Sequence, residues 1–171
     1  MEGKVVVSRK AKFTIVRDTR EQEGKGWQFN ASKNCTGVVR EKLDVGDYSI
    51  KGMEKIICIE RKTIGDLWGT LGFQKNYERF VREWARAKKH RMKYLIIEGT
   101  VADVDAGYRW SKVSSNLIHA KLISLQVKHN VHVIFAGRQD KARTYTRRLL
   151  DKLYAYYLDG IIKEPEDESD S

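Results

Sequence analysis

Gly46-Asp47-Tyr48-Ser49-Ile50, followed by Ile56-Ile57-Cys58-Ile59-Glu60-Arg61-Lys62 and then by Asp66, is the stretch of sequence that decides the fold. Asp47 opens one short strand pattern, and Glu60 and Lys62 close an apolar one, so two acids and an amine fall at strand ends. Side chains alternate along a strand, which puts Glu60 and Lys62 on one face and Arg61 on the other. Folding of the pair can bring both carboxylates and the amine to one point.

Such a convergence is costly without a ligand. Two carboxylates about 4 Å apart repel by roughly 4 kcal/mol at an effective dielectric near 20. A hard divalent cation removes that penalty, and Mg2+ suits the donor set, because it takes one or two carboxylates, keeps several waters and completes its shell with phosphate oxygens. Mn2+ is the natural substitute. Lys62 would then orient the attacking water or stabilise charge building on the phosphate. The implied chemistry is metal-assisted hydrolysis of a phosphodiester. The plainer alternative is a solvated hairpin with a weak cross-strand ion pair, and Glu60-x-Lys62 alone does not decide between them.

Neighbouring residues add weight. Asp18-Thr19-Arg20-Glu21 follows the apolar run Phe13-Thr14-Ile15-Val16. The whole pattern Asp-x-Arg-Glu, Gly-Asp-Tyr, Glu-Arg-Lys-x-x-x-Asp-Leu resembles the nuclease domain of the XPF-type structure-specific endonucleases, within the PD-(D/E)xK superfamily related in fold to restriction enzymes. The resemblance runs from about Phe13 to about Leu153. It implies an α/β sandwich with a mixed central sheet flanked by helices, activity on branched or flapped DNA in repair, recombination or replication, and a homodimer formed through the nuclease domain.

Position by position, the resemblance makes Asp47 and Glu60 metal ligands and Lys62 the catalytic lysine. Asp18 and Glu21 match acids lining the same site, with Asp18 a further metal ligand. Asp66 matches the last acid of the motif, and Arg20 and Arg61 its two arginines. Asp66 is also the fourth residue of Thr63-Ile64-Gly65-Asp66, which reads as a helix start capped by Thr63, and that role is preferred. For Arg20 and Arg61 a buried pairing with the acids stands beside phosphate contact, since a guanidinium fork suits both. The segment from Leu67 to Phe80 departs from the family order of glycine-arginine-leucine followed by glutamine. With no helix-hairpin-helix pattern after it, the chain looks closer to stand-alone bacterial or phage versions.

Charge agrees with a nucleic-acid partner. The net value is +10, but five of the 23 acids lie in Glu164–Ser171, so residues 1–163 set 18 acids against all 33 bases, or +15. A body that basic attracts a polyanion, with affinity that falls steeply with salt. A composition of 41% apolar and 33% charged residues with one proline is that of a folded protein long enough for one core. No apolar run approaches membrane-spanning length and Met1–Val7 lacks a signal-peptide pattern, so an intracellular protein of a prokaryotic or phage-infected cell is expected. Cys35 and Cys58 are far apart, and His129 and His132 have no cysteine partners, which argues against zinc.

The expected organisation is a basic segment over residues 1–11, a nuclease domain over 12–162 and an acidic, disordered tail over 163–171. Strands are expected near 12–17, 37–42, 47–51 and 55–61, the early ones as hairpins, then a helix through Tyr77, Phe80, Val81, Trp84 and Lys88. A strand at Tyr94–Ile97, a helix over Ser114–Lys128, a strand at Val131–Phe135 and a helix over Gln139–Leu158 complete the α/β pattern. Glu98 ends a strand near the site and takes no assigned role. Trp27, Phe29 and Trp110 fall in loops, where they would stack on bases or cover the core, whereas Trp68 and Trp84, on helices, read as core or interface residues. Tyr154, Tyr156 and Tyr157 with Leu149, Leu150, Leu153 and Leu158 make the last helix apolar on more than one face, which fits a sheet on one side and a second subunit on the other. Two rivals remain: a DNA-binding subunit that keeps the fold without activity, and a sequence-specific or RNA-directed nuclease on the same scaffold.

Overall fold

Alternation in the central strands explains why helices cover both faces of the sheet. In the computed structural model, which describes residues 11–165, β1 (Phe13–Asp18), β2 (Cys35–Glu41), β3 (Tyr48–Ile50), β4 (Ile57–Thr63), β5 (Met92–Glu98) and β6 (His132–Phe135) form one sheet in the order β2-β1-β3-β4-β5-β6. Ile57, Ile59, Tyr94 and Ile96 point into one apolar cluster, and Cys58, Leu95 and Ile97 into the other. The first cluster is closed by α5 (Gln139–Leu158) through Ala142, Leu150 and Leu153. The second is closed by α1 (Ile64–Leu71), α2 (Gln74–Arg86) and α4 (Ser115–His129) through Leu67, Trp68, Phe80, Trp84, Ile118 and Leu122. Strands buried on both faces read as apolar runs, as β4 and β5 do.

The sheet is mixed. β3 runs antiparallel to β1 and β4, while β1–β2, β4–β5 and β5–β6 are parallel pairs. The expected hairpin between the first two strands is therefore corrected. Residues 19–34 carry the chain back without a helix, and Trp27 and Phe29 from that connection are buried in the core. Their stacking role on bases falls away, because Trp27 lies against the Tyr48 ring at 5.1 Å. Trp110 alone of the three remains exposed. Trp68 and Trp84 are buried as expected.

Two short helices begin with threonine caps. Thr63 caps α1 by accepting from the Asp66 N–H at 3.1 Å, and its hydroxyl donates to the Asp66 carboxylate at 2.8 Å. α3 (Val101–Asp105) was not foreseen, although Thr100 and Asp103 form a reciprocal cap at its start. None of the helices among the described residues is long and apolar enough to cross a membrane. Residues 1–10 of the basic N-terminal segment and 166–171 of the acidic tail lie outside the described residues.

Gly46 is required by the turn that delivers Asp47. Its φ of +79° is left-handed, and a Cβ there would sit 2.8 Å from Cys58 Sγ and 3.0 Å from the Ile59 carbonyl. Gly46→Ala is expected to destabilise the protein by about 3 kcal/mol, combining the conformational cost with the clash. A urea unfolding midpoint equal to that of the parent would contradict this account of the turn.

Candidate active site

Asp47 is fixed from two sides. Its N–H donates to the Ile59 carbonyl and its own carbonyl accepts from the Asp18 N–H, both at 2.8 Å, which stitches it between β1 and β4. Its Oδ2 accepts the Arg61 N–H at 2.8 Å. One strand later, Glu60 Oε1 accepts from Lys62 Nζ at 2.8 Å, and the Lys62 amine also lies 5.0 Å from the centre of the Phe80 ring. Asp47, Glu60 and Lys62 together line a cavity of about 600 Å³ and a second opening on the α2 side. The three residues that the strand pattern set at strand ends are thus brought together.

Electrostatics at this point favour an added cation. Burial, then the charges of Glu60 and Glu21, push the Asp47 carboxyl well above its ordinary value. Burial and Glu60 raise Glu83 of α2 in the same way, so a fourth acid crowds the site from a helix that the motif did not single out. Lys62 is itself shifted upward: burial opposes its charge, but Glu60 and Asp47 outweigh burial. Among the described residues no three Asp, Glu, His or Cys side chains are grouped closely enough to enclose a metal. A two-carboxylate donor set of Asp47 and Glu60 still fits Mg2+, which retains waters and takes phosphate oxygens.

Asp18, expected as a further metal ligand, lines the second opening with Asp47 and Glu60, and protein donors engage both of its oxygens. Oδ1 accepts from the Arg20 N–H at 2.8 Å and Arg20 Nε at 2.7 Å, while Oδ2 accepts from the Leu43 N–H at 2.6 Å and Arg20 Nη2 at 3.2 Å. All its good acceptor directions are taken. Burial opposes the Asp18 charge, yet these bonds leave its pKa below the ordinary value. Arg20 also donates to the Leu43 carbonyl at 2.7 Å and borders both openings with a side chain 61% exposed. Asp18 thus fixes the orientation of the Arg20 guanidinium at the rim.

Arg61 takes the buried pairing. It forks onto Glu98 through Nε (2.8 Å) and Nη2 (3.1 Å) and donates through Nη1 to Glu21 at 3.0 Å. Arg61, Glu21 and Glu98 are each 8–9% exposed. The Trp27 indole N–H donates to Glu98 Oε1 at 2.7 Å, and the Trp27 N–H donates to the Tyr48 hydroxyl at 2.6 Å. Buried Arg17 donates to the carbonyls of Gln22 at 2.7 Å and Glu21 at 3.3 Å. Glu21 is therefore a wall of the cavity held by Arg61, and Asp66 lines the same cavity from the α1 cap. Glu98, noted only as ending a strand near the site, and Arg17 are the members to which sequence reasoning gave no role. A carboxylate at the end of β5 was the visible signal for the first; nothing marked Arg17.

A mixed sheet with helices on both faces thus gathers two acids and a lysine beside the β3–β4 pair. The chain belongs to the ERCC4 domain family, whose model matches residues 17–147. Its fold is similar to XPF from Aeropyrum pernix, with a TM-score of 0.61 at 18% identity over 86% of this chain and 68% of that one. The same protein in complex with DNA is similar at a TM-score of 0.56 and 19% identity, over 88% and 66% of the two chains. The XPF-type resemblance read from the motifs and the restriction-enzyme-like sandwich are thus shown. Among curated proteins no match is found.

Proposed function

We propose that this chain is a metal-dependent DNA endonuclease of the repair type, acting on branched or flapped DNA. The observation that carries this reading is the convergence of Asp47, Glu60 and Lys62 on one open cavity in a basic ERCC4 domain. Asp47 and Glu60 would hold Mg2+ or Mn2+, which when bound supplies Lewis-acid stabilisation of phosphate charge and lowers the pKa of water. Lys62 is held by Glu60 with its remaining donors free to orient the attacking water or the phosphate oxygen. Arg20, at the rim, grips the phosphate backbone, and Asp18 positions Arg20. Arg61, Glu21 and Glu98 keep the cavity wall in shape. A solved relative in complex with DNA supports DNA as the substrate class.

The test is cutting of labelled flap, junction and plain duplex DNA with and without Mg2+. Cleavage of the branched substrates, dependent on the metal and lost in Lys62→Ala, is expected. Tight binding with no metal-dependent cleavage on any structure would assign the chain to the non-catalytic class, and equal cutting of plain duplex would remove the branched-DNA preference.

The homodimer is proposed on the same footing. Tyr156 and Leu158 of α5, with Ile161 after it, are 43%, 47% and 67% exposed, so the second apolar face of that helix has no partner among the described residues. Sedimentation of the parent as a dimer, and of Tyr156→Glu/Leu158→Glu as a monomer, is expected.

A further inference from the structure

The turn that follows α3 carries an aromatic ring that the core does not use. Trp110 is 72% exposed, whereas Trp27, Trp68 and Trp84 are all buried. The Ser111 N–H donates to the Tyr108 carbonyl at 2.8 Å, so Arg109 and Trp110 are the corner residues of a turn. That turn is anchored on both sides. Tyr108 lies against Trp68 of α1 with ring centres 6.0 Å apart, the Trp68 indole N–H donates to the Val113 carbonyl at 3.4 Å, and the Val113 N–H donates to the Ser111 hydroxyl at 3.2 Å. The indole therefore extends from a held backbone. The Arg109 guanidinium lies 4.2 Å from the centre of the Trp110 ring. It takes one face of the indole, and at this exposure the other face is open.

The turn adjoins the active-site cavity. A Cβ on Gly65 would lie 3.0 Å from the Tyr108 hydroxyl, and Thr63 and Asp66, which flank that part of α1, line the cavity. Trp110 follows Tyr108 by two residues, a reach of at most about 7 Å of chain. Phe73, also exposed, follows Gly72, where a Cβ would lie 3.3 Å from Val113. It offers a second open ring on the same side of α1. Lys75, Arg109 and Lys112 are exposed as well. The acids of α3 are engaged elsewhere: Asp103 accepts from the Thr100 hydroxyl at 2.7 Å, and Asp105 pairs with His119 at 2.7 Å. Open rings among positive charges suit a partner that has both π-faces and phosphates. An apolar partner would bury Arg109 and Lys112 without a counter-charge.

We propose that Trp110 is a stacking platform for an unpaired base in a single-stranded arm of the DNA, with Arg109 bracing the indole and Lys112 adding charge for the phosphates. Bases inside a closed duplex are already stacked on one another and offer no free face, so such a platform separates a branched substrate from a plain one. The inference rests on the reading of DNA as the substrate class, and it names the side chain that senses the unpaired strand.

Anisotropy of labelled DNA with the full chain in EDTA, where metal-dependent cutting is off, tests it. A duplex carrying a thymidine flap should bind Trp110→Ala about 10-fold more weakly than the parent, the scale of one stacked base. Trp110→Phe should recover most of that loss. The same duplex without the flap should bind all three proteins equally, and the slope of log K against log salt should not change, since no charge is removed. Because the other three tryptophans are buried, quenching of intrinsic fluorescence by oligothymidylate should disappear in Trp110→Phe. Equal flap affinity in parent and Trp110→Ala, with plain duplex bound by both, would overturn the platform and leave the nuclease reading intact. An equal fall on flap and plain duplex would also overturn it, by making Trp110 a general contact. Binding of no DNA at all would remove the platform together with the reading of DNA as substrate.

Discussion

Asp47→Asn is expected to melt at a higher temperature than the parent and to lose metal-dependent cleavage by about 1000-fold, the scale of removing one preorganised electrostatic group from an active site. Both effects follow from one cause. The ionised Asp47 carboxylate is disfavoured by burial and by the charges of Glu60 and Glu21, so the folded protein carries a cost that only a bound cation relieves. An amide keeps the acceptor for the Arg61 N–H and removes the charge. A gain of about 1 kcal/mol would appear as a rise of about 2–4 °C in Tm for a chain of this size.

The pH dependence has a definite sign. A carboxyl whose folded pKa lies above its unfolded value, near 4, binds its proton more tightly in the native state. Its contribution therefore favours folding at low pH and is lost as pH rises from about 4 through the raised folded value. Asp47→Asn should flatten that part of the stability profile. Mg2+ supplies a further readout that needs no substrate: it should raise the Tm of the parent by binding the native state, and raise that of Asp47→Asn much less. Scanning calorimetry in Mg2+ and in EDTA measures both. A variant that melts below the parent without metal would contradict the account of a strained acid pair.

What was legible in the sequence depended on how local the cause was. α5 shows the bounds that its periodicity gave, Gln139–Leu158, because the repeat of apolar residues is a property of that segment alone. β4 was readable for the same reason, although it runs Ile57–Thr63 rather than near 55–61, which puts Glu60 at its middle and Lys62 near its end. The parallel pairing of β1 with β2 was not, since residues 19–34 have no crossover helix to announce it and are held instead by burial of Trp27 and Phe29. The Arg61–Glu98 fork needed the register of β4 on β5, where Thr63 faces Glu98, and that register is a tertiary fact. Asp18 is instructive in the other direction. Its bond to the Arg20 N–H is a two-residue local turn that Asp-x-Arg could have suggested, but the Leu43 N–H that fills its second oxygen comes from far along the chain. A motif match places an acid in the neighbourhood of a site, and only the remaining donors decide whether its lone pairs are free.

Arg61→Ala is expected to cost the most stability of any single change near the cavity, about 3–5 kcal/mol, because it strands two buried carboxylates without their cation. Glu21 and Glu98 are each under one-tenth exposed and share this one guanidinium. Burial opposes the Arg61 charge, but the bonds to Glu98 and the field of Glu21 more than offset it, so its pKa is raised and the charged form is the one the fold holds. Arg61→Lys should recover little, since an ammonium cannot reproduce the fork that reaches Glu98 and Glu21 at once. Adding Glu21→Gln and Glu98→Gln to Arg61→Ala should restore part of the loss by removing the stranded charges, and the difference measures the coupling within the triad. The loss should come with a looser connection over residues 19–34, which the triad and the Trp27 indole bond to Glu98 tie to β4 and β5; faster amide exchange at Trp27 would record it. Should Arg61→Ala unfold at the parent's denaturant midpoint, the triad contributes no net stability, and the cavity wall must be held by the apolar contacts of Trp27 and Tyr48 alone.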